Sequence, residues 1–364
     1  MIICFVFLTG FLAEPSNMND LKNLKIAFYG ASVTQQGNGF VDYFSRIANI
    51  KVLKFGFGGM FLRDAGVCFV DKVIKSKPDI CFVDWFSTDY INQDGKFNLY
   101  IDTITEKLQR IGCRVIFLFF PNNRNSAECN EFYTISKSYL QNKGVEFISL
   151  DKILSNYPTT EILRDVIHTS QKGSQLYAEN ILRYIENTPA LPQAVVKPNV
   201  YSSFSVLPVK AFFNKKIVVE GNCYIQGFFM KIGPWSGMVQ IDSSGDSFKE
   251  NTWDQWCYYA RDHFCFNLPV DGKVTFTVLN ETFDTSSCEK NFDFSKYKKK
   301  LVIHEIYYYG GPLKVCTKGN KIAYLYALLI TMIFDIKHRI FTKKNKIRIF
   351  VKKFFSPTCR DKNE

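Results

Sequence analysis

Lys25-Ile26-Ala27-Phe28-Tyr29-Gly30-Ala31-Ser32-Val33-Thr34 is the stretch that decides the fold. A short, mostly apolar run leads into a glycine, and a serine follows two positions later. Runs of this kind suit strands buried on both faces, which occur in parallel sheets covered by helices. Similar runs recur at 51–55, 79–85, 114–120 and 145–150. Between them, 40–48, 97–111 and 127–142 place apolar residues at helical spacing. Gly112 and Gly144 stand just past two of these helices, where left-handed C-cap residues belong. A last helix is expected over 170–187. This β-α alternation predicts a flavodoxin-like α/β domain over 21–187, a parallel sheet with helices on both faces.

Thr188-Pro189-Ala190-Leu191-Pro192 breaks the pattern, and 188–199 reads as a linker. Residues 200–318 are rich in Val, Phe, Tyr and Thr. Turn signals stand at Asn214-Lys215, Ser244-Gly245-Asp246 and Asp271-Gly272, and a strand is expected to end at Gly310-Gly311-Pro312. This predicts a smaller all-β sandwich. Residues 319–364 read as an amphipathic basic tail. Its uncharged stretch, 322–334, is shorter than the roughly 20 residues needed to span a bilayer.

The net charge of +12 is uneven: from Lys337 onward there are ten Lys or Arg against Asp361 and Glu364. The rest is closer to balanced, which argues against a nucleic-acid groove. In the tail, Lys and Arg interleave with Ile and Phe, as in a helix lying on an anionic membrane surface. A helix packed on the body with a solvated basic end is the alternative. The eleven cysteines are scattered, with no C-x-x-C pair, so neither a disulfide framework nor a zinc pattern is expected. A disulfide among Cys223, Cys257, Cys265 and Cys288 stays open. Residues 1–20 form an uncertain leader. Either 2–13 is a signal-peptide core or Met18 is the start, so the expected location is cytoplasmic, at the membrane surface, or secreted. No cofactor, metal site or phosphate-cradling loop is expected.

Ser32 follows a strand at the carboxyl edge of the predicted sheet, where open α/β folds build their sites. A serine hydroxyl needs a base to take its proton, and histidine suits that task near neutral pH. Of His168, His263, His304 and His338, only His168 lies in the first domain, and Asp165 precedes it by three positions. The loop Asp165-Val166-Ile167-His168 lets the carboxylate fold back onto the ring and fix its tautomer. The block around Ser32 lacks the second glycine of G-x-S-x-G, which disfavours an α/β-hydrolase proper.

These residues resemble the SGNH/GDSL hydrolase family of esterases and lipases, over 25–187. Gly30-Ala31-Ser32 matches the family's Gly-Asp-Ser block, with alanine in place of aspartate. Phe55-Gly56-Phe57-Gly58-Gly59 matches the glycine block, and Asp165 with His168 match the late Asp-x-x-His. The resemblance implies catalysis by Ser32, Asp165 and His168. It also implies an oxyanion hole from Ser32, Gly59 and Thr88, where Thr88 stands in the place of the family's asparagine. Asn92 and backbone N–H groups are alternative donors. The implied activity is removal of acyl groups, O-acetyl in particular, from a carbohydrate or related small ester. Transfer of acyl groups in surface-glycan assembly and a catalytically weak glycan-binding scaffold are the alternatives. Trp235, Trp253 and Trp256, with Tyr258 and Tyr259, are candidates for a sugar-stacking surface in the second domain.

Overall fold

The structure is a computed structural model. It describes residues 21–86, 95–123, 127–189, 195–281, 288, 292–322, 324–325 and 328–329. The expected leader and most of the expected tail lie outside these residues. The chain divides into two compact units, 1–205 and 206–364.

The first unit runs β1 (Ile26–Gly30), α1 (Ser32–Gln35), α2 (Phe40–Ile47), β2 (Leu53–Gly56), a π-turn (Leu62–Gly66), α3 (Val70–Ile74) and β3 (Ile80–Asp84). It continues with α4 (Phe97–Gln109), β4 (Arg114–Phe119), α5 (Ala127–Asn142), β5 (Glu146–Ser149), α6 (Leu150–Ile153), α7 (Thr159–Ile162) and α8 (Gln171–Asn187). All five strands are parallel, in the order β2-β1-β3-β4-β5. This is the flavodoxin-like order, whose connections diverge between β1 and β3. β1 and β3 are buried along their whole length. Ile26, Phe28, Phe82, Ile116 and Leu118 pack with Phe40 and Phe44 of α2 and Tyr177 and Ile181 of α8. On the alternate positions, the Tyr29 ring meets Phe57 and Trp85, and Phe119 meets Tyr133 of α5. Burial on both faces is why these strands read as unbroken apolar runs. Gly112 and Gly144 do take the left-handed conformation expected past α4 and α5. Ser170 caps α8 by accepting the Gly173 N–H at 2.9 Å.

The segment expected to be a linker is partly structure. Asn199 caps a short 3-10 turn (Val200–Ser203), and its amide donates to Leu99 O at 2.9 Å on α4. The Val196 N–H donates to Gln109 at 3.2 Å, and Tyr201 packs edge-on against Tyr100. These contacts hold residues 196–201 on the first unit, so the boundary falls after Ser205 and not at 200.

The second unit holds β6 (Ser205–Phe213), β7 (Lys216–Ile232), β8 (Met238–Asp242), β9 (Ser247–Asn251), β10 (Arg261–Cys265), β11 (Leu268–Val278) and β12 (Leu301–Val315). The long β7 pairs antiparallel with β12, and with β10 and β11 in succession. Ile217, Val219, Ile225, Phe228, Val274, Phe276, Ile303 and Ile306 belong to its core. Asn214-Lys215 and Ser244-Gly245-Asp246 do fall between strands, whereas Asp271-Gly272 does not turn the chain. Gly272 lies inside β11 with φ +75°, paired with Gly221 of β7. Likewise β12 continues through Gly310-Gly311-Pro312 by a register shift. In both places the flanking apolar residues stay in the core, and the backbone bends without leaving the ladder. Among the described cysteines all are free thiols.

His263 of β10 has a buried Nδ1 with no hydrogen-bond partner among the described residues. Burial, and then the charge of Arg261, push its ring from 6.5 down to about 3. Below about 6.5 an unfolded chain takes the proton and the folded one does not. Stability is therefore full above that pH and drains as pH falls toward about 3. The melting temperature is expected to fall across this window, and to fall less steeply in His263→Leu. Equal slopes in the two proteins would remove His263 from the account.

Candidate active site

β1 delivers Ser32 to the carboxyl edge of the sheet. The close approach of β3 demands Gly30, where a Cβ would lie 2.2 Å from Asp84 O and 2.6 Å from Thr34 Oγ1. The Ala31 N–H donates to Asp84 O at 2.9 Å, and the Thr34 hydroxyl donates to the buried Asp84 carboxylate at 3.1 Å. Two bonds to one residue thus anchor the turn that carries Ser32. As the first residue of α1, Ser32 has an N–H without an intrahelical acceptor. Its half-buried hydroxyl has no hydrogen-bond partner among the described residues.

The end of β2 lies against the same turn. The Phe57 N–H donates to Gly30 O at 2.9 Å. A Cβ on Gly56 would sit 2.4 Å from Gln35 Cα, and one on Gly58 only 2.2 Å from Gln35 Oε1. Gly56 is there because the α1 backbone leaves no room for a side chain, whereas at Gly58 the neighbour is the Gln35 side chain. The position of a Gly58 Cβ is also 3.7 Å from Ser32 Cβ, which places the glycine block beside the serine. Gly59 has φ +70°, and no described residue accepts its N–H.

The loop after α7 forms the expected carboxylate–imidazole pair. Asp165 Oδ1 accepts the backbone N–H of Ile167 at 3.1 Å and of His168 at 2.8 Å. The His168 Nδ1 lies 3.0 and 2.9 Å from the two carboxylate oxygens. An ionised carboxylate only accepts, so Nδ1 carries the proton and Nε2 is left as the acceptor. Burial pushes the Asp165 carboxyl up. The two backbone hydrogen bonds and the imidazole outweigh it and hold the carboxyl below its ordinary range. The loop is fixed by main-chain bonds from Asn123 N to Val166 O and from Arg164 N to His168 O, both 2.9 Å.

Ser32's turn and His168's loop are joined by Gln36. Its amide donates to Thr169 O at 2.9 Å and accepts the Thr169 N–H at 3.2 Å and its hydroxyl at 3.1 Å. The structure thus brings the elements bearing Ser32, Gly59, Asp165 and His168 together. Gln35, Gln36, Thr34 and Asp84 were not singled out in the sequence. They match no motif, and their partners lie far along the chain. A cavity of about 530 Å³ opens beside the Gln36–Thr169 contact, but neither Ser32 nor His168 lines it.

Other candidates are placed differently. Thr88, Asn92 and His338 lie outside the described residues. Trp235 is core and not a stacking surface: it is 9% exposed and packs with Val302 and Tyr324 under the Lys300 ammonium. Trp253 is partly buried against the β-unit core. Trp256 is half-buried with the Arg261 guanidinium over its ring, and Tyr259 is exposed. His304 bonds the Tyr324 hydroxyl at 2.7 Å, far in sequence from Ser32 and in the other unit.

No family model matches the chain, and no curated protein matches it in sequence. Solved structures do. A two-domain esterase active on acetylated mannans is similar over 83% of this chain and 95% of its own, with TM-score 0.58 and 14% identity. The same esterase co-crystallized with mannopentaose gives TM-score 0.58 and 13% identity over 83% and 94%. A lipase/acylhydrolase from Enterococcus faecalis covers 45% of this chain and 95% of its own, with TM-score 0.40 and 22% identity. The chain therefore shares the fold of that two-domain protein, a parallel α/β unit followed by an antiparallel β-unit.

Proposed function

We propose that the chain is a serine esterase of SGNH type that removes O-acetyl groups from a carbohydrate. The observation that carries this reading is the Asp165–His168 hydrogen bond on a loop tied through Gln36 to the turn bearing Ser32. In this mechanism Nε2 of His168 takes the Ser32 proton as Oγ attacks the acetyl carbonyl. The N–H groups of Ser32 and Gly59 hold the resulting oxyanion, with the Thr88 hydroxyl as a third donor. The imidazolium then protonates the departing sugar oxygen, leaving an acetyl-enzyme. Water, deprotonated by the same imidazole, releases acetate and frees Ser32.

The mannan-active esterase of similar fold supports an acetylated carbohydrate as substrate. Partly exposed Trp253, Trp256 and Tyr258, with exposed Tyr259, are the aromatic candidates left for sugar contact once Trp235 is assigned to the core. The test is release of free acetate from O-acetylated mannan, with and without a sugar acceptor. Acetate released at the same rate in both supports hydrolysis. Acetyl groups recovered on the acceptor make the chain a transferase, and neither product favours a binding scaffold.

The same reading assigns the C-terminal segment to an anionic membrane surface. Ile322, Leu325 and Leu329 are 82%, 64% and 53% exposed, whereas Tyr324 and Leu328 pack on the β-unit. The basic residues from Lys337 onward follow in sequence. No helix among the described residues is long and apolar enough to cross a membrane. Because Tyr324 is buried and bonded to His304, the informative truncation removes the chain after Leu329 and not from Lys321. The full chain is expected to sediment with phosphatidylserine vesicles at low salt, by about 1 kcal/mol per engaged Lys or Arg, and to leave them as salt rises. The truncated chain, and Ile322→Ser/Leu325→Ser/Leu329→Ser, should bind more weakly with esterase rates unchanged. Equal binding to neutral vesicles, or none at low salt, removes the electrostatic account.

A further inference from the structure

Two adjacent side-chain amides hold the Ser32 turn from different sides. Gln36 closes that turn, its own N–H donating to Ser32 O at 3.0 Å, so its position is fixed relative to the serine. Its side chain bonds both the N–H and the C=O of Thr169, as a neighbouring strand would, and the Thr169 hydroxyl as well. Three bonds to one residue fix orientation as well as distance. Thr169 is buried, directly follows His168, and is held in turn by Ser174 of α8 at 2.6 Å. The Gln36 carbonyl is itself anchored by Lys54 Nζ at 2.7 Å. On the other side, Gln35 Oε1 accepts the Gly58 N–H at 2.8 Å, next to Gly59.

We propose that Gln36 is the positioning residue that sets His168 against Ser32, with Gln35 doing the same for the glycine loop. The inference rests on the esterase reading above. No strand ladder joins α1 to the histidine loop, and the Asp165–His168 pair is self-contained within its own loop. Without the Gln36 amide that pair survives, but its loop loses its direct hydrogen bonds to the Ser32 turn and keeps only the indirect tie from Asn123 N to Val166 O beyond β4. A misplacement of about 1 Å at such a site can cost on the order of 10²-fold in rate.

The test uses the full chain and p-nitrophenyl acetate. Gln36→Met keeps the side chain's length and removes the amide. Its kcat is expected to fall about 10–100-fold with KM within about twofold. The rate at which a fluorophosphonate labels Ser32 should fall by the same factor. Thr169→Val, lacking one of the three bonds and the bond to Ser174, should lose less, and should cause a smaller loss in the Gln36→Met background than alone because part of its effect runs through the shared contact. A kcat within twofold of wild type in Gln36→Met, while wild-type hydrolysis is abolished by Ser32→Ala, overturns the positioning role alone. So does a lowered melting temperature with kcat per folded molecule unchanged. Wild-type hydrolysis that survives Ser32→Ala, or is absent altogether, overturns the esterase reading and this inference with it.

Discussion

Ser32→Ala is expected to lower acetate release by on the order of 10⁴–10⁶-fold, because removing a nucleophile disables the whole catalytic unit. The fold should be untouched. The Ser32 hydroxyl has no hydrogen-bond partner among the described residues, so the methyl group that replaces it breaks no bond. The anchors of the turn come instead from Ala31 and Thr34 to Asp84, and from Gln35 and Gln36 to the loops on either side. Acetate release and fluorophosphonate labelling should therefore vanish together while the melting temperature stays within about 1–2 °C, since a small ΔΔG moves it little. Turnover within tenfold of wild type would place the nucleophile elsewhere.

His168→Ala is expected to fall nearly as far, since no other described histidine belongs to the same unit. Asp165→Asn should lose about 10²–10⁴-fold. An amide can donate to Nδ1 where the carboxylate could only accept, which favours the tautomer with the proton on Nε2. That tautomer cannot take the Ser32 proton. The folded Asp165 carboxyl is held below its ordinary value, so its contribution is present above the ordinary carboxylate range and is lost only as pH falls through the lowered value. That stability loss on acidification is expected to be absent from Asp165→Asn when melting temperature is followed against pH. An Asp165→Asn protein with wild-type turnover and an unchanged pH profile would deny the carboxylate its orienting role.

The α/β unit was legible because its signals are local. Apolar runs flanked by glycine and polar segments become strands buried on both faces, and β1, β3, β4 and β5 fall where the runs stand. The Asp165–His168 pair was legible for the same reason: three residues of loop suffice to bring carboxylate to ring. Misread features involve distant partners. Asp271-Gly272 has turn composition, yet its pairing with Asn222 and Gly221 keeps it in a ladder. Trp235 looks like a sugar platform until Val302 and Tyr324 cover it.

The amino-acid sequence by itself determined the parallel sheet, the edge on which Ser32 stands, and the carboxylate that orients His168. Each is dictated by periodicity or by residues within a few positions of one another. Only the tertiary structure decided how the pieces meet. Gln36 reaches Thr169 across 133 residues, and Gly56 is required by a helix turn more than twenty residues earlier. Asp84, on another strand, anchors the serine turn. A side-chain amide has no periodicity and no preferred partner, so its bond exists only once both backbones are in place.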